Sequence, residues 1–385
     1  MTATARHMVR CRRLDVARCA GRIVVWLALC AAGTASPAVA QSWLSVTGIA
    51  DVETWFTDDR SPELTKNDGH PAALGRVHVQ GALRASHALS FVALSEFEGG
   101  SAEDGGVAVS LDLGIVRLTP ARQLLLDAGR FPSPVGAFAT RRLSPTNPLI
   151  GTPAGYPTTY PTGVMASGAV GRVDYRAALV TLPVTGEEYF PAAAARLRPA
   201  LGFGVTPVIG LRLGASYTAG PYLNGDLPSR LLGGAPWTAY HERVGGVDAR
   251  FSRGYLELFA ELQASRYEVP QRASPVRGTA YYLEAKYTWT PRLFTAVRLE
   301  RTLYPVVKPQ DSIWYASSTN RYDGEAGVGY RLGPETLIKA SYRQDRDGRA
   351  FALQLSQLFD VVSMFAGSAQ AGGVSRRSDP APSAP

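Results

Sequence analysis

The chain has 385 residues, of which 45% are hydrophobic and 19% charged, and its formal net charge is +8. A mean hydropathy of −0.05 argues against a polytopic helical membrane protein. The 39 glycines and 27 prolines argue against a helical bundle. The length allows two soluble domains or one large all-β domain.

The N-terminal segment, residues 1–40, is predicted to be a cleaved signal peptide. Residues 1–22 hold six arginines and one aspartate, an apolar run follows from Ile23 to Ala32, and Ala38-Val39-Ala40 forms a small-residue cleavage site. Its removal leaves 34 basic and 31 acidic residues and takes away all three cysteines. A net charge of only +3 argues against a nucleic-acid partner. The lack of cysteine excludes a thiol nucleophile.

From Gln41 onward the repeating signal is strict alternation of apolar and polar residues, which is typical of strands with two different faces. In residues 254–267, for example, the leucines fall on one face and the glutamates on the other. Sixteen such segments are predicted: 43–56, 73–85, 89–98, 107–118, 123–131, 163–170, 171–182, 195–206, 208–219, 241–252, 254–267, 277–289, 292–303, 321–332, 335–346 and 349–361.

The connections between these segments alternate in length. Short ones such as Thr206-Pro207 and Gly333-Pro334 alternate with longer ones near 132–162, 220–240 and 304–320. This pattern and the even strand number predict an all-β, antiparallel, up-and-down transmembrane barrel over residues 41–362. The alternative is a soluble sandwich, solenoid or propeller. Sixteen tilted strands enclose more volume than side chains can fill, which favours the barrel with its charged face around water.

The longest connection, residues 132–162, is the third at its end of the barrel and contains seven prolines. The stretch before it, residues 129–136, resembles the G-x-F-x-x-P-x-G signature of phosphate-selective (O and P type) porins and related sixteen-stranded porins, with matches at Gly129, Phe131, Pro134 and Gly136. The resemblance implies a trimeric, water-filled outer-membrane channel whose third extracellular loop folds into the lumen. The mature chain has only four lysines, so the resemblance does not by itself imply phosphate selectivity.

The charged residues on the polar faces are candidates for the pore wall. The candidate cations are Arg76, Arg84, Arg130, Arg172, Arg176, Arg212, Arg250, Lys286, Arg298 and Lys339, and the candidate acids are Glu96, Glu98, Asp112, Glu257 and Glu261. Arg141 and Arg142 are adjacent on the candidate constriction loop. Charges at a narrow point set ion preference more than charges elsewhere, so they predict a weak preference for anions. The alternative is that both arginines stay on the outer surface.

The sequence predicts no enzyme, metal or cofactor, since it has no H-x-x-x-H pair, G-x-S-x-G elbow or P-loop. His78 shares the lumen face with Arg76 and is interpreted as a wall residue. The predicted function is passive diffusion of small hydrophilic solutes across an outer membrane. The alternatives are a specific channel for phosphate or small organic anions, and a non-conducting barrel acting as adhesin or scaffold. Expected partners are outer-membrane lipids, the solutes or anions, two further copies in a homotrimer, and the barrel-assembly machinery.

The C-terminal residues 363–385 are predicted to form a disordered periplasmic tail, because they are rich in Gly, Ala, Ser and Pro. The terminal aromatic residue that outer-membrane barrels commonly carry is therefore displaced or absent.

Overall fold

The structure is a computed structural model that describes residues 43–58, 72–100, 107–153, 160–181, 196–223, 227–310, 313–344 and 348–361. The predicted signal peptide (1–40) and tail (363–385) lie outside the described residues. No helix among these residues has the length and apolar character needed to cross a membrane.

Sixteen antiparallel strands form one closed barrel, as the alternation predicts. In chain order, β1 to β16 are Leu44–Thr57, Ala72–Arg84, Leu89–Gly100, Val107–Ala121, Leu124–Arg130, Thr162–Val170, Val173–Val180, Arg198–Val208, Leu211–Pro221, His241–Arg253, Leu256–Tyr267, Val276–Thr288, Leu293–Gln310, Ile313–Arg331, Thr336–Gln344 and Arg349–Asp360. Each strand pairs with its neighbours in sequence, and β1 closes the barrel on β16 from Thr47↔Asp360 to Thr57↔Ala350.

The two faces of the barrel wall are sorted by polarity. In β16, Gln354 and Ser356 point inward and are buried, while Leu353 and Leu355 point outward and are 42% and 45% exposed. Elsewhere Leu283 and Leu299 are also exposed on the outside. A soluble barrel buries its apolar face inside, so this arrangement is the reverse and is typical of a barrel surrounded by lipid.

The connections fall into two sets. Those between β2 and β3, β4 and β5, and the following even–odd pairs have at most four residues, and we call this the short-turn end. The opposite end, which we call the long-loop end, carries the connection between β5 and β6, residues 131–161, and the connection between β9 and β10, which includes two short 3-10 helices, Ser229–Leu232 and Trp237–Ala239.

The predicted long connection at 304–320 is wrong. The ladder of β13 with β14 continues through Pro305↔Ser318 and Pro309↔Trp314 to Gln310↔Ile313. The pairing of β12 with β13 stops at Thr279↔Leu303, so among the described residues the extension has a partner strand on one side only. Proline lacks the N–H that a central strand must donate, but it is tolerated on such an edge.

Candidate functional site

The residues of the predicted signature form the base of the β5–β6 loop. Gly129 and Gly136 have φ of +130° and +82°, which L side chains rarely adopt, and a Cβ on Gly129 would collide with the carbonyl oxygen of Gly114. Phe131 is 1% exposed and packs in an apolar cluster with Ile115 and Val135. The two glycines turn the chain while Phe131 holds it against the wall.

The loop then passes along the inward faces of β7 to β11. The Gly136 N–H donates to Ser216 Oγ at 3.1 Å, and the Ala137 N–H donates to Glu261 Oε1 at 3.0 Å. Arg250 donates to the Ala137 carbonyl oxygen at 3.1 Å. Because these wall residues point inward, the loop lies inside the barrel.

Arg141 and Arg142 reach opposite sides of the lumen. Arg141 is buried, forms an ion pair with Glu284 on β12, and stacks over the Phe259 ring on β11 with 3.4 Å to the ring centroid. Arg142 binds Glu96 on β3 at 2.9 Å and also Asp112 on β4. The alternative that both arginines stay on the outer surface is therefore wrong. Each already has a carboxylate partner, so neither presents an unbalanced positive charge.

Asp112 owes its position to a β-bulge. Leu94 pairs with Leu113 and Ser95 with Leu111, so Asp112 is an extra residue without a partner across the ladder. A bulge bends the strand and redirects a side chain. Asp112 is 5% exposed and accepts a hydrogen bond from Ser110 at 3.0 Å as well as the Arg142 contact.

The middle of the loop is fixed by a buried lysine. Lys339 of β15 is 1% exposed, and its Nζ donates to the carbonyl oxygens of Ser144, Asn147 and Leu149 at 3.0, 3.0 and 3.1 Å. A lysine ammonium has three protons, and this arrangement uses all of them. Lys339, predicted to line the pore, instead binds the backbone of the loop.

A second anchor lies beside it on β13 and β14. Glu325 Oε1 accepts hydrogen bonds from the N–H groups of Ile150 and Gly151 at 3.2 and 3.0 Å. Arg298 bonds Glu325 at 2.7 Å, the Gly151 carbonyl oxygen at 2.7 Å and Glu284 at 3.2 Å. Glu284 thus joins Arg298 and Arg141, so one charge network connects Arg141 of the loop with Gly151 of the same loop.

The other candidate wall residues form ion pairs across the wall, contact a carbonyl oxygen of the loop, or lie at strand ends. Arg76 on β2 pairs with Glu98 at 2.9 Å and Glu96 at 3.1 Å, and Lys286 pairs with Glu257 at 2.6 Å. Arg212 forms ion pairs with Asp174 and Asp248 at 2.7 and 2.6 Å.

Arg176, like Arg250, donates a hydrogen bond to a backbone carbonyl oxygen of the loop. Its acceptor is the Gly136 carbonyl oxygen, at 3.5 Å.

Three predicted residues lie at strand ends. Arg172 belongs to the turn between β6 and β7, is exposed, and donates to the Pro207 carbonyl oxygen at 2.6 Å, so it lies at the rim and not in the wall. Arg84 is the exposed last residue of β2, and Arg130 is the half-buried last residue of β5.

His78, Glu96 and Asp112 could offer ligand atoms to a metal ion, because one atom from each lies within 4.8 Å of the others. His78 Nε2 is 3.2 Å from Glu96, and its Nδ1 is 4.0 Å from Asp51. The guanidinium of Arg142 is bound to both Glu96 and Asp112. An arginine therefore supplies the positive charge that these carboxylates need.

Tyr160, near the β6 end of the loop, lies beside Arg142. The Arg142 guanidinium lies 5.0 Å from its ring centroid, and burial raises the pKa of the phenol to about 12. The phenol, which is uncharged at neutral pH, adds no negative charge to the carboxylates around Arg142.

Sequence reasoning missed several contributors. Asp51 and Glu53 of β1 are 2% and 3% exposed and face inward, and Glu53 pairs with Arg76 at 3.3 Å. In the sequence, their alternation with the apolar Val52 is the pattern that indicates their inward direction. The β9–β10 connection was also missed: Leu223 and Leu232 pack with Phe138 of the β5–β6 loop in one buried cluster.

No protein-family model matches the chain, and no curated protein matches it in sequence. Among solved structures, OmpF of Salmonella typhi, in a complex with daunomycin, is 13% identical with a TM-score of 0.58, covering 82% of this chain and 97% of its own.

OmpT of Vibrio cholerae in its trimer form is 11% identical with a TM-score of 0.56, covering 82% of this chain and 99% of that one. A mutant of the Rh. blastica porin is 10% identical with a TM-score of 0.50, covering 82% and 100%. At these identities the likeness shows the fold alone: the chain has the sixteen-stranded barrel that is also found in outer-membrane porins.

Proposed function

We propose that this chain forms a water-filled channel for passive diffusion of small hydrophilic solutes across an outer membrane. The observation that carries the proposal is the sorting of the closed barrel wall, with charged and polar residues inside and leucine, valine and aromatic residues exposed outside. Such a wall is stable where lipid surrounds the barrel and water fills it. No cofactor is required.

The β5–β6 loop acts in this proposal as a fixed size filter. Contacts to inward-facing residues from β7 round to β15, and to β3 and β4, hold it within the lumen. Its most exposed described residues are Thr140, Thr146 and Thr152, which carry no charge. A solute therefore meets hydroxyl groups and paired charges along this loop, which favours sorting by size.

We further propose a weak preference for anions, carried by Arg176 and Arg250. Both are half-buried and contact loop carbonyls, and neither forms an ion pair with another described residue. By contrast, Arg141 and Arg142 each hold a carboxylate. On the other wall, Glu53 pairs with Arg76 at 3.3 Å and Asp51 lies 4.0 Å from His78, so these acids already face basic groups.

Recording from planar lipid bilayers tests these proposals. We expect discrete current steps from the folded protein and, under a salt gradient, a reversal potential of the anion-preferring sign. R176Q/R250Q should move the reversal potential toward zero or the cation side, because lumen charge is lost. The matched control R122Q/R253Q removes two arginines outside the lumen and should leave it unchanged.

Three other results would contradict the proposed function or one part of it. The absence of current from correctly folded protein would favour the non-conducting adhesin or scaffold. Block of the current by inorganic phosphate, but not by chloride at equal ionic strength, would favour the channel specific for phosphate or small organic anions. An unchanged reversal potential in R176Q/R250Q would refute the role given to these arginines.

Processing and assembly are part of the proposal. Residues 1–40 would be removed after Ala40, with insertion by the barrel-assembly machinery and assembly into homotrimers. The basic, apolar and small-residue order of this segment supports export. The trimer form of OmpT of Vibrio cholerae, which has the same fold, supports the assembly. N-terminal sequencing and the native mass of membrane-extracted protein are the tests.

A further inference from the structure

Three arginines lie side by side on the outer surface of the barrel. Arg243 of β10 is directly opposite Arg266 of β11, and Arg266 is directly opposite Arg277 of β12. All three are exposed and alternate with buried inward residues, so they point outward. They stand within three residues of the long-loop end of their strands.

Among the residues that the structure describes, this row has no counter-charge. None of the three forms an ion pair or a side-chain hydrogen bond with any other residue that the structure describes. The acids nearby are engaged elsewhere: Glu242 binds Arg198 at 2.5 Å and Glu268 faces His241 at 3.5 Å. Directly opposed side chains in a sheet are only about 5 Å apart at Cβ, and like charges there are destabilising.

The row has a defined position relative to the apolar outer surface. Outward-facing Tyr281 lies four residues from Arg277 on β12, about 13 Å along the strand. Tyr281 and its cross-strand partner Leu262 are 42% and 44% exposed. Tyrosines on the outside of such barrels lie at headgroup level. The arginines therefore stand on the outer side of this belt, and their long side chains can reach back to the lipid phosphates.

We propose that Arg243, Arg266 and Arg277 bind the phosphate group of an anionic membrane lipid. Guanidinium groups bind phosphate oxygens in pairs, and an anion between three opposed arginines removes their mutual repulsion. The row is continuous with the lipid-facing surface, so the phosphate is carried by a lipid and is not free in solution. This inference rests on the membrane location given in the proposed function.

Native mass spectrometry of the processed chain, which begins at Gln41 in the proposed function and is refolded in detergent micelles, tests the proposal. The probes are dioleoyl phosphatidic acid, an anionic phosphate monoester, and dioleoyl phosphatidylcholine, which has the same acyl chains but a phosphate whose charge is balanced by its own choline. We expect roughly tenfold tighter binding of phosphatidic acid to the parent protein. In R243Q/R266Q/R277Q the two lipids should bind within about twofold of each other, since the charge is lost.

The control variant R122Q/R253Q/R292Q removes three exposed arginines at the short-turn end and should keep the preference. The single variant R266Q, which removes the central member, should lose most of it. An equal preference in the parent and R243Q/R266Q/R277Q, a loss in the control, or displacement of the lipid by millimolar inorganic phosphate would each overturn the proposal.

Folding and membrane insertion are measured separately. The resistance of the folded barrel to unfolding by SDS without heating reports whether each variant folds. Failure of the parent to insert into phosphatidylcholine vesicles would refute the membrane location. Insertion without a preference for phosphatidic acid would refute only the lipid site.

Discussion

The replacement of Lys339 by methionine tests whether the β5–β6 loop is fixed in the lumen. Methionine keeps the length of the side chain and removes three hydrogen bonds from Nζ to the Ser144, Asn147 and Leu149 carbonyls. A hydrogen bond to a charged group contributes about 1.5–3 kcal/mol, and lumen water can replace part of this. We therefore expect docking of the loop to weaken by about 3 kcal/mol in total.

This loss corresponds to roughly a 100-fold rise in the undocked population of the loop. Hydrogen exchange on the folded protein measures it directly. The amides of Ile150 and Gly151, which donate to Glu325 beside the lysine site, should exchange about 100-fold faster in K339M. Amides in the paired strands should be unaffected, because the barrel ladder does not depend on this side chain.

The matched control is K286M. Lys286 also points inward, but it pairs with Glu257 at 2.6 Å and makes no hydrogen bond to the described part of the loop. Its replacement should leave loop exchange unchanged. The reasoning would be refuted by unchanged exchange at Ile150 and Gly151 in K339M, or by equal acceleration in K286M.

Two further predictions concern Gly129, at the base of the loop, and Phe138, farther along it. G129A should lower the free energy of unfolding by about 1–3 kcal/mol, because φ is +130° and the added Cβ meets the Gly114 carbonyl. Urea unfolding in lipid vesicles measures this change. The control is G81A, where an added Cβ meets nothing within 4 Å. F138A should cost about 3–5 kcal/mol of loop docking, since Phe138 is 1% exposed and packs edge-on against Tyr282 with ring centroids 6.0 Å apart. A lower urea midpoint for the whole barrel in F138A, with loop exchange unchanged, would contradict the assignment of Phe138 to loop docking.

The strands were predictable because their information is local. Alternation in β11 and β16 places Glu261 and Gln354 inside from sequence alone, and the structure confirms both faces. The extension of β13 and β14 was not predictable in the same way. Pro305 and Pro309 indicate a loop unless the partner strand is known to lie on one side only.

The candidate site was predictable only in part, for a different reason. Sequence identifies Lys339 as an inward lysine and Arg141 as a loop arginine, but it does not show what they contact. The acceptors of Lys339 are backbone carbonyls, which every residue carries and which leave no trace in the sequence. Glu284, the partner of Arg141, is 143 residues away, so the pairing depends on the closed barrel.

Closure of the barrel sets an order on assembly. The loop emerges from β5 and β6, yet its firmest anchors, Arg298, Glu325 and Lys339, belong to β13, β14 and β15, near the C-terminal end of the chain. This middle part of the loop, residues 144–151, can therefore reach its final position only after those late strands are in place. Contacts over such long sequence separations form slowly. We therefore expect the lumen to reach its final width only when the last strands have joined the barrel.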